Sequence, residues 1–103
     1  TLCTAIAYIF LMIESFAHKG LERFFLTGST AGVQAKHKAR LRLILDQLHG
    51  AHIIDDMAFP GSGLHPLKGN RRGVWSVKVS GNWRITFTFE HGVARIVNYE
   101  DYH

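Results

Sequence analysis

VWSVKVSGNWRITFTFEHGVARIVNY, residues 74–99, alternates apolar and polar side chains with the period of a β-strand and is interrupted twice by turn residues. Over residues 74–79, Trp75, Val77 and Val79 share one face, and Ser76 and Lys78 take the other. Ser80-Gly81-Asn82 forms a tight turn. Residues 83–90 then alternate strictly: Trp83, Ile85, Phe87 and Phe89 face one way, and Arg84, Thr86, Thr88 and Glu90 the other. His91-Gly92 turns the chain again before a last strand over 93–99, which leaves 100–103 as a C-terminal tail. Successive strands joined by such short turns must run antiparallel. Trp75, Trp83, Ile85, Phe87 and Phe89 are the expected sheet contribution to a core.

The period changes upstream. Residues 33–49 place Leu41, Ile44, Leu45 and Leu48 at i, i+3, i+4 and i+7, one apolar stripe on a helix that Gly50 is positioned to end. Lys36 and Arg40 flank the stripe on one side, Lys38 and Arg42 on the other. Residues 18–26, with Leu21, Phe24 and Phe25, predict a shorter helix; 13–16 predict a short strand, as do 64–67. Residues 27–32 and most of 51–63 carry the Gly, Pro, Ser and Asp of loops. Helices first and an antiparallel run afterwards predict an α+β domain with the helices on one face of the sheet.

A chain of 103 residues holds one domain with one modest core. At 47% hydrophobic and 19% charged it has the balance of a globular protein, not a disordered one. Its net charge of +4, with seven histidines besides, fits a polyanionic partner. The lone Cys3 cannot build an internal disulfide, so a reducing cytoplasm is the expected compartment. Residues 1–11 are apolar and uncharged, too short to span a bilayer and without the basic start of a secretory signal. They are expected to be a leader or extension, with Met12 the natural start of a single domain over 12–103.

The polar sheet face is left for chemistry. Arg84 projects there from mid-strand, where a planar guanidinium can grip a phosphate in two places. Residues 64–73, LHPLKGNRRG, gather His65, Lys68, Arg71 and Arg72: an imidazole that can move a proton near neutral pH, and cations that can neutralise phosphate. The tail adds Asp101, Tyr102 and His103, where an acid can orient an imidazole and a phenol ring can stack on a base. Each has a plainer alternative, a solvated arginine, a solvated basic loop and a frayed tail. Metal is the competing use of histidine, but Gly50 breaks the helix that would align His49 and His52 with Asp55 and Asp56, and no metal site is expected. His18, His37 and His91 are expected at the surface or as caps. The sequence has neither a glycine-rich phosphate loop nor a serine-centred nucleophile elbow.

Taken together, LHPLKG (64–69), GVWS (73–76), NWRITF (82–87) and NYEDYH (98–103), with the opening MIESF (12–16), closely resemble HigB toxins of the RelE/ParE superfamily. The likeness runs from Met12 to His103 and leaves 1–11 outside; the long middle loop matches least.

The resemblance implies a RelE-like fold, with two N-terminal helices on a twisted antiparallel sheet of about four to five strands. It implies metal-independent, ribosome-dependent cleavage of messenger RNA without a cofactor, and inhibition by a helix-turn-helix antitoxin of the HigA type, through which the complex would bind operator DNA. His65, Lys68, Arg84, Asp101, Tyr102 and His103 become the catalytic candidates, with His65 and His103 sharing the roles of base and acid in either order. Lys36, Lys38, Arg40, Arg42, Arg71 and Arg72 are the candidates for docking on ribosomal RNA. Two other functions fit much of the same sequence: a ParE-like gyrase inhibitor, and a module that binds RNA or protein without cutting.

Overall fold

Leu41, Ile44, Leu45 and Leu48, the stripe read from the sequence, are all fully buried in the computed structural model, which describes residues 13–101. The elements in chain order are α1 (Lys19–Thr27), α2 (Lys38–Gly50), β1 (His65–Pro66), β2 (Val74–Ser80), β3 (Trp83–Glu90) and β4 (Val93–Asp101), with short 3-10 turns at Ala35–His37, Ile54–Met57 and Gly69–Arg71. The strands form one antiparallel sheet in the order β1-β2-β3-β4. Residues 13–17 run parallel to β4 at its outer edge, where Ile13 and Phe16 bridge to Ala94 and Val97. The short strand expected over 13–16 is therefore a pair of isolated bridges, tied by Glu14 N–H to Ala94 O at 2.7 Å and Ala17 N–H to Val97 O at 2.8 Å.

Both helices lie against one sheet face. Leu21 and Phe24 of α1 and the α2 stripe meet Val77, Val79, Ile85, Phe87, Ala94, Val97 and Tyr99 in a single core. Of the aromatic residues expected there, Ile85's neighbour Phe87 is buried, whereas Trp75, Trp83 and Phe89 are only partly so. Trp83 opens β3 and Phe89 nears its end, and Trp75 sits opposite Pro66 of the two-residue edge strand.

Local chemistry sets the helix limits. His18 caps α1, its Nδ1 accepting from Leu21 N–H at 3.0 Å, and Gly28 closes it in the left-handed region (φ 82°) that a side chain would resist. Gly20 and Gly32 pass backbone to backbone, so a Cβ on either would collide with main-chain atoms of the other. The helix expected over 33–49 begins later, at Lys38, because the chain is first drawn into a 3-10 turn at Ala35–His37. Gly50 is the last residue of α2, and Ala51, extended, is the position beyond it.

His37, the last residue of that turn, is the clearest departure from expectation. It is buried, not at the surface, and it holds the N-cap position of α2 without a side-chain capping bond: the Tyr99 hydroxyl lies 2.6 Å from its Nδ1, and Trp83 stacks on Tyr99 with ring centroids 4.4 Å apart. Burial, and then the nearby Lys36 charge, hold His37 below its ordinary pKa of 6.5, and burial raises that of Tyr99. In acid the unfolded chain therefore takes up a proton that the folded chain resists, so stability is complete above pH 6.5 and declines as the pH falls below it. Urea denaturation from pH 7.5 to 5 is expected to show that decline, and His37→Gln, which keeps an acceptor but does not titrate, is expected to flatten it.

Candidate active site

The strand register assembles the site on the face turned away from the helices. His65 pairs with Ser76, Ser76 with Thr86, and Thr86 with Asn98, one row across all four strands. The adjoining row is Lys78, Arg84 and Glu100. Neighbouring strands are about 4.8 Å apart, so His65 lies about 10 Å from Thr86, and Arg84 is two residues, about 7 Å, along β3 from Thr86. His65 and Arg84, far apart in sequence, thus lie on one sheet face, His65 exposed and Arg84 half-buried, with Ser76 and Thr86 buried between them.

His65 is exposed, and its ring is oriented by its own chain. Nδ1 lies 2.9 Å from the Gly63 carbonyl oxygen, which can only accept, so Nδ1 carries the proton in this bond and Nε2 is the nitrogen whose lone pair the neutral ring would offer. The carbonyl owes its direction to Gly63, whose φ of 58° suits glycine, and to Lys78 N–H, which holds the adjoining Ser62 carbonyl at 2.7 Å.

Glu100 was not legible as a site residue. Arg71 grips its carboxylate with both ends of the guanidinium, at 2.9 and 2.6 Å, and the Thr86 hydroxyl donates to the same carboxylate. Arg71's hydrogen bonds, more than Thr86's, hold the Glu100 carboxyl below its usual range against the opposing effect of burial. The pair ties the basic segment 68–72 down onto β4. Arg71, expected to face a partner, instead has its guanidinium on this carboxylate, while Lys68 and Arg72 beside it are exposed. The carboxylate's place follows from β4 running on through Glu100 and Asp101, so this part of the expected tail is strand.

Asp101 pairs with Trp83 and takes the alternate register position, on the side of Tyr99, not that of Arg84. Tyr102 and His103 lie outside the described residues, as do residues 1–12 with Cys3 and Met12.

The helical cations divide differently from the flanks assigned to them. Lys36, Lys38 and Arg42 line one cavity of about 410 Å³ with Phe24, Gly28, Ala35 and Ala39, because Lys36 precedes α2 in the 3-10 turn and does not follow its periodicity. Arg42 donates to the Phe24 carbonyl at 3.1 Å and lies over that ring. Arg40 points elsewhere, donating to the carbonyls of Gly61 at 2.7 Å and Lys78 at 3.2 Å. Arg42 thus ties α2 to α1, and Arg40 ties α2 to the loop at Gly61 and to β2. That cavity has no acid–base pair; the sheet face has the imidazole. Asp56, weighed as a metal ligand, caps its own turn by accepting from His52 and Ile53 N–H at 2.9 and 3.3 Å, which lowers its pKa. Among the described residues no helix is long and apolar enough to cross a membrane.

An exposed imidazole with a defined tautomer, a strand-borne arginine and flanking cations form a surface suited to moving a proton beside a phosphate. Residues 14–103 match the family model described as the RelE-like toxin of the type II toxin–antitoxin system HigB. The chain is also 49% identical over 92 residues to the endoribonuclease HigB of Proteus vulgaris, covering 89% of this chain and 100% of that protein.

Proposed function

The chain belongs to the HigB-like family of RelE-like toxins of type II toxin–antitoxin systems, and from that membership we propose that it is an endoribonuclease that cuts messenger RNA on the ribosome and so arrests translation. The observation that carries the proposal is that His65 and Arg84 stand on the same sheet face, turned away from the helices.

RNA brings its own nucleophile, the ribose 2′-hydroxyl. The enzyme has to remove its proton, stabilise the charge that builds on the phosphorane, and return a proton to the departing 5′-oxygen. In our reading His65 Nε2 accepts the first proton and His103 supplies the last; Asp101, whose register puts it on the side of Tyr99, is not on the face of His65 and can act only on the tail that follows it. Arg84 and Lys68 hold the phosphate oxygens as charge accumulates, which is often the larger catalytic contribution, and Tyr102 positions the RNA. An open surface of this size does not enclose a strand, so the ribosome completes the site, with Lys36, Lys38 and Arg72 available to ribosomal RNA.

A toxin of this class has an antitoxin partner. We propose one of the HigA type, with a helix-turn-helix through which the complex binds operator DNA, and action in the cytoplasm by a single toxin domain over residues 12–103.

The test is a translation reaction in vitro with primer extension on the message. The unaltered protein is expected to leave discrete breaks. His103→Gln is expected to bind ribosomes and leave the message whole. Arrest without breaks by the unaltered protein would make it a binder, and full cleavage by the variant would remove His103 from the mechanism.

A further inference from the structure

We propose that the shallow pocket on the polar sheet face, walled by Arg71 and Ile96 and floored by Thr86, Thr88 and Asn98, is a nucleobase subsite beside the cleaved phosphodiester. The proposal rests on the endoribonuclease reading and assigns that site a means of choosing its RNA.

Ile96 is the first reason. It sits at φ 54°, where a β-branched residue is strained, and its side chain is 57% exposed, so burial does not compensate. The strain comes from a bulge. Thr88 pairs with Arg95 and Thr86 with Asn98, so Ile96 and Val97 together stand opposite Phe87. Val97 takes the core position and is fully buried, and Ile96 is turned out to the rim of the pocket. The edge segment holds this arrangement: Ile96 N–H donates to Ser15 Oγ at 2.9 Å and Val97 N–H to Ser15 O at 3.1 Å. A strained conformation kept in place by neighbouring structure, and presenting an apolar side chain to solvent, calls for an occupant.

Arg71, which also lines the pocket, states the ligand's chemistry. Arg71 presents a planar guanidinium held by the Glu100 carboxylate. That carboxylate offsets its charge, which disfavours a phosphate here and favours a flat, neutral ring between an aliphatic platform and a guanidinium plane. Asn98 donates one amide N–H to Glu100 and has its second N–H and its oxygen for the ring's edge. At about 80 Å³ the pocket is too small to engulf a base but open enough to receive one edge. Its floor at Thr86 is two residues along β3 from Arg84, about 7 Å, so a nucleotide whose phosphate rests on Arg84 brings an adjoining base to it.

Ile96→Gly and Ile96→Asn test this, since both residues tolerate the left-handed region. The readouts are thermal unfolding and single-message cleavage on programmed ribosomes, with KM and kcat measured at several codons. Both variants are expected to unfold several degrees higher, as strain is released. Both are expected to cut about tenfold less efficiently, mainly through KM, with less difference between codons. A residue of merely structural importance would not gain stability while losing sequence preference. If the unaltered protein cuts no message, the endoribonuclease reading falls and the subsite with it. If it cuts, and the variants match its efficiency and codon pattern or unfold at lower temperature, the subsite is wrong and the nuclease stands.

Discussion

His65→Ala is expected to slow message cleavage by about 10²–10⁴-fold, the usual contribution of a positioned acid–base group. It should leave thermal unfolding nearly unchanged. The residue is exposed and among the described residues its ring bonds the carbonyl two residues before it, so its removal opens no cavity and strands no buried partner. The loss should fall on kcat, because proton removal belongs to the chemical step and not to RNA binding. His65→Gln adds a control, since an amide can keep the bond to the Gly63 carbonyl but cannot take up the proton. Cleavage by either variant within a few-fold of the unaltered rate, measured in single turnover, would show that Nε2 of His65 is not the base.

Phe87→Ala is expected to have the opposite profile, costing about 3–5 kcal/mol of stability. Domains of this size are stable by roughly 5–15 kcal/mol, so much of the total is at stake. Phe87 is 1% exposed and lies in the central part of β3, opposite the bulge at Ile96 and Val97 and edge-on to Phe89. Its ring helps to fill the space between the sheet and the helical stripe, which two rigid layers cannot close after truncation. A stability loss of less than about 1 kcal/mol, read from the urea midpoint and slope, would mean that the layers collapse onto the gap and that the core is more pliable than its burial indicates.

These substitutions act on opposite sides of one sheet, and that division was visible in the sequence. Strict alternation over 83–90 separates Ile85 and Phe87 from Arg84 and Thr86 whatever the rest of the chain does. The α2 stripe was equally plain, because both periods are local properties of a backbone with fixed geometry. The motifs around His65 and Arg84 pointed to the site for a different reason, through likeness to a family.

Glu100 and Ile96 had no comparable signal. A carboxylate is not an expected choice beside a polyanion, and only the pairing of β4 with β3 brings it under Arg71. An isoleucine in a strand looks like core until a one-residue bulge reverses which neighbour is buried. His37 was missed for a related reason: a lone polar residue before a helix fits the surface equally well, and Tyr99, its partner, is 62 residues away.

By itself, then, the sequence determined the layers: which segments are helix or strand, which faces are apolar, and that a basic polar surface remains. Those properties depend on side-chain period over a few residues, and short-range geometry expresses them directly. Tertiary structure alone decided the contents of that surface: His65 aligned with Thr86 and Asn98, Arg71 drawn onto Glu100, and Asp101 turned to the side of Tyr99. The physical reason is register. A shift of one residue between strands would preserve every local pattern and exchange the faces of all the side chains on one of them.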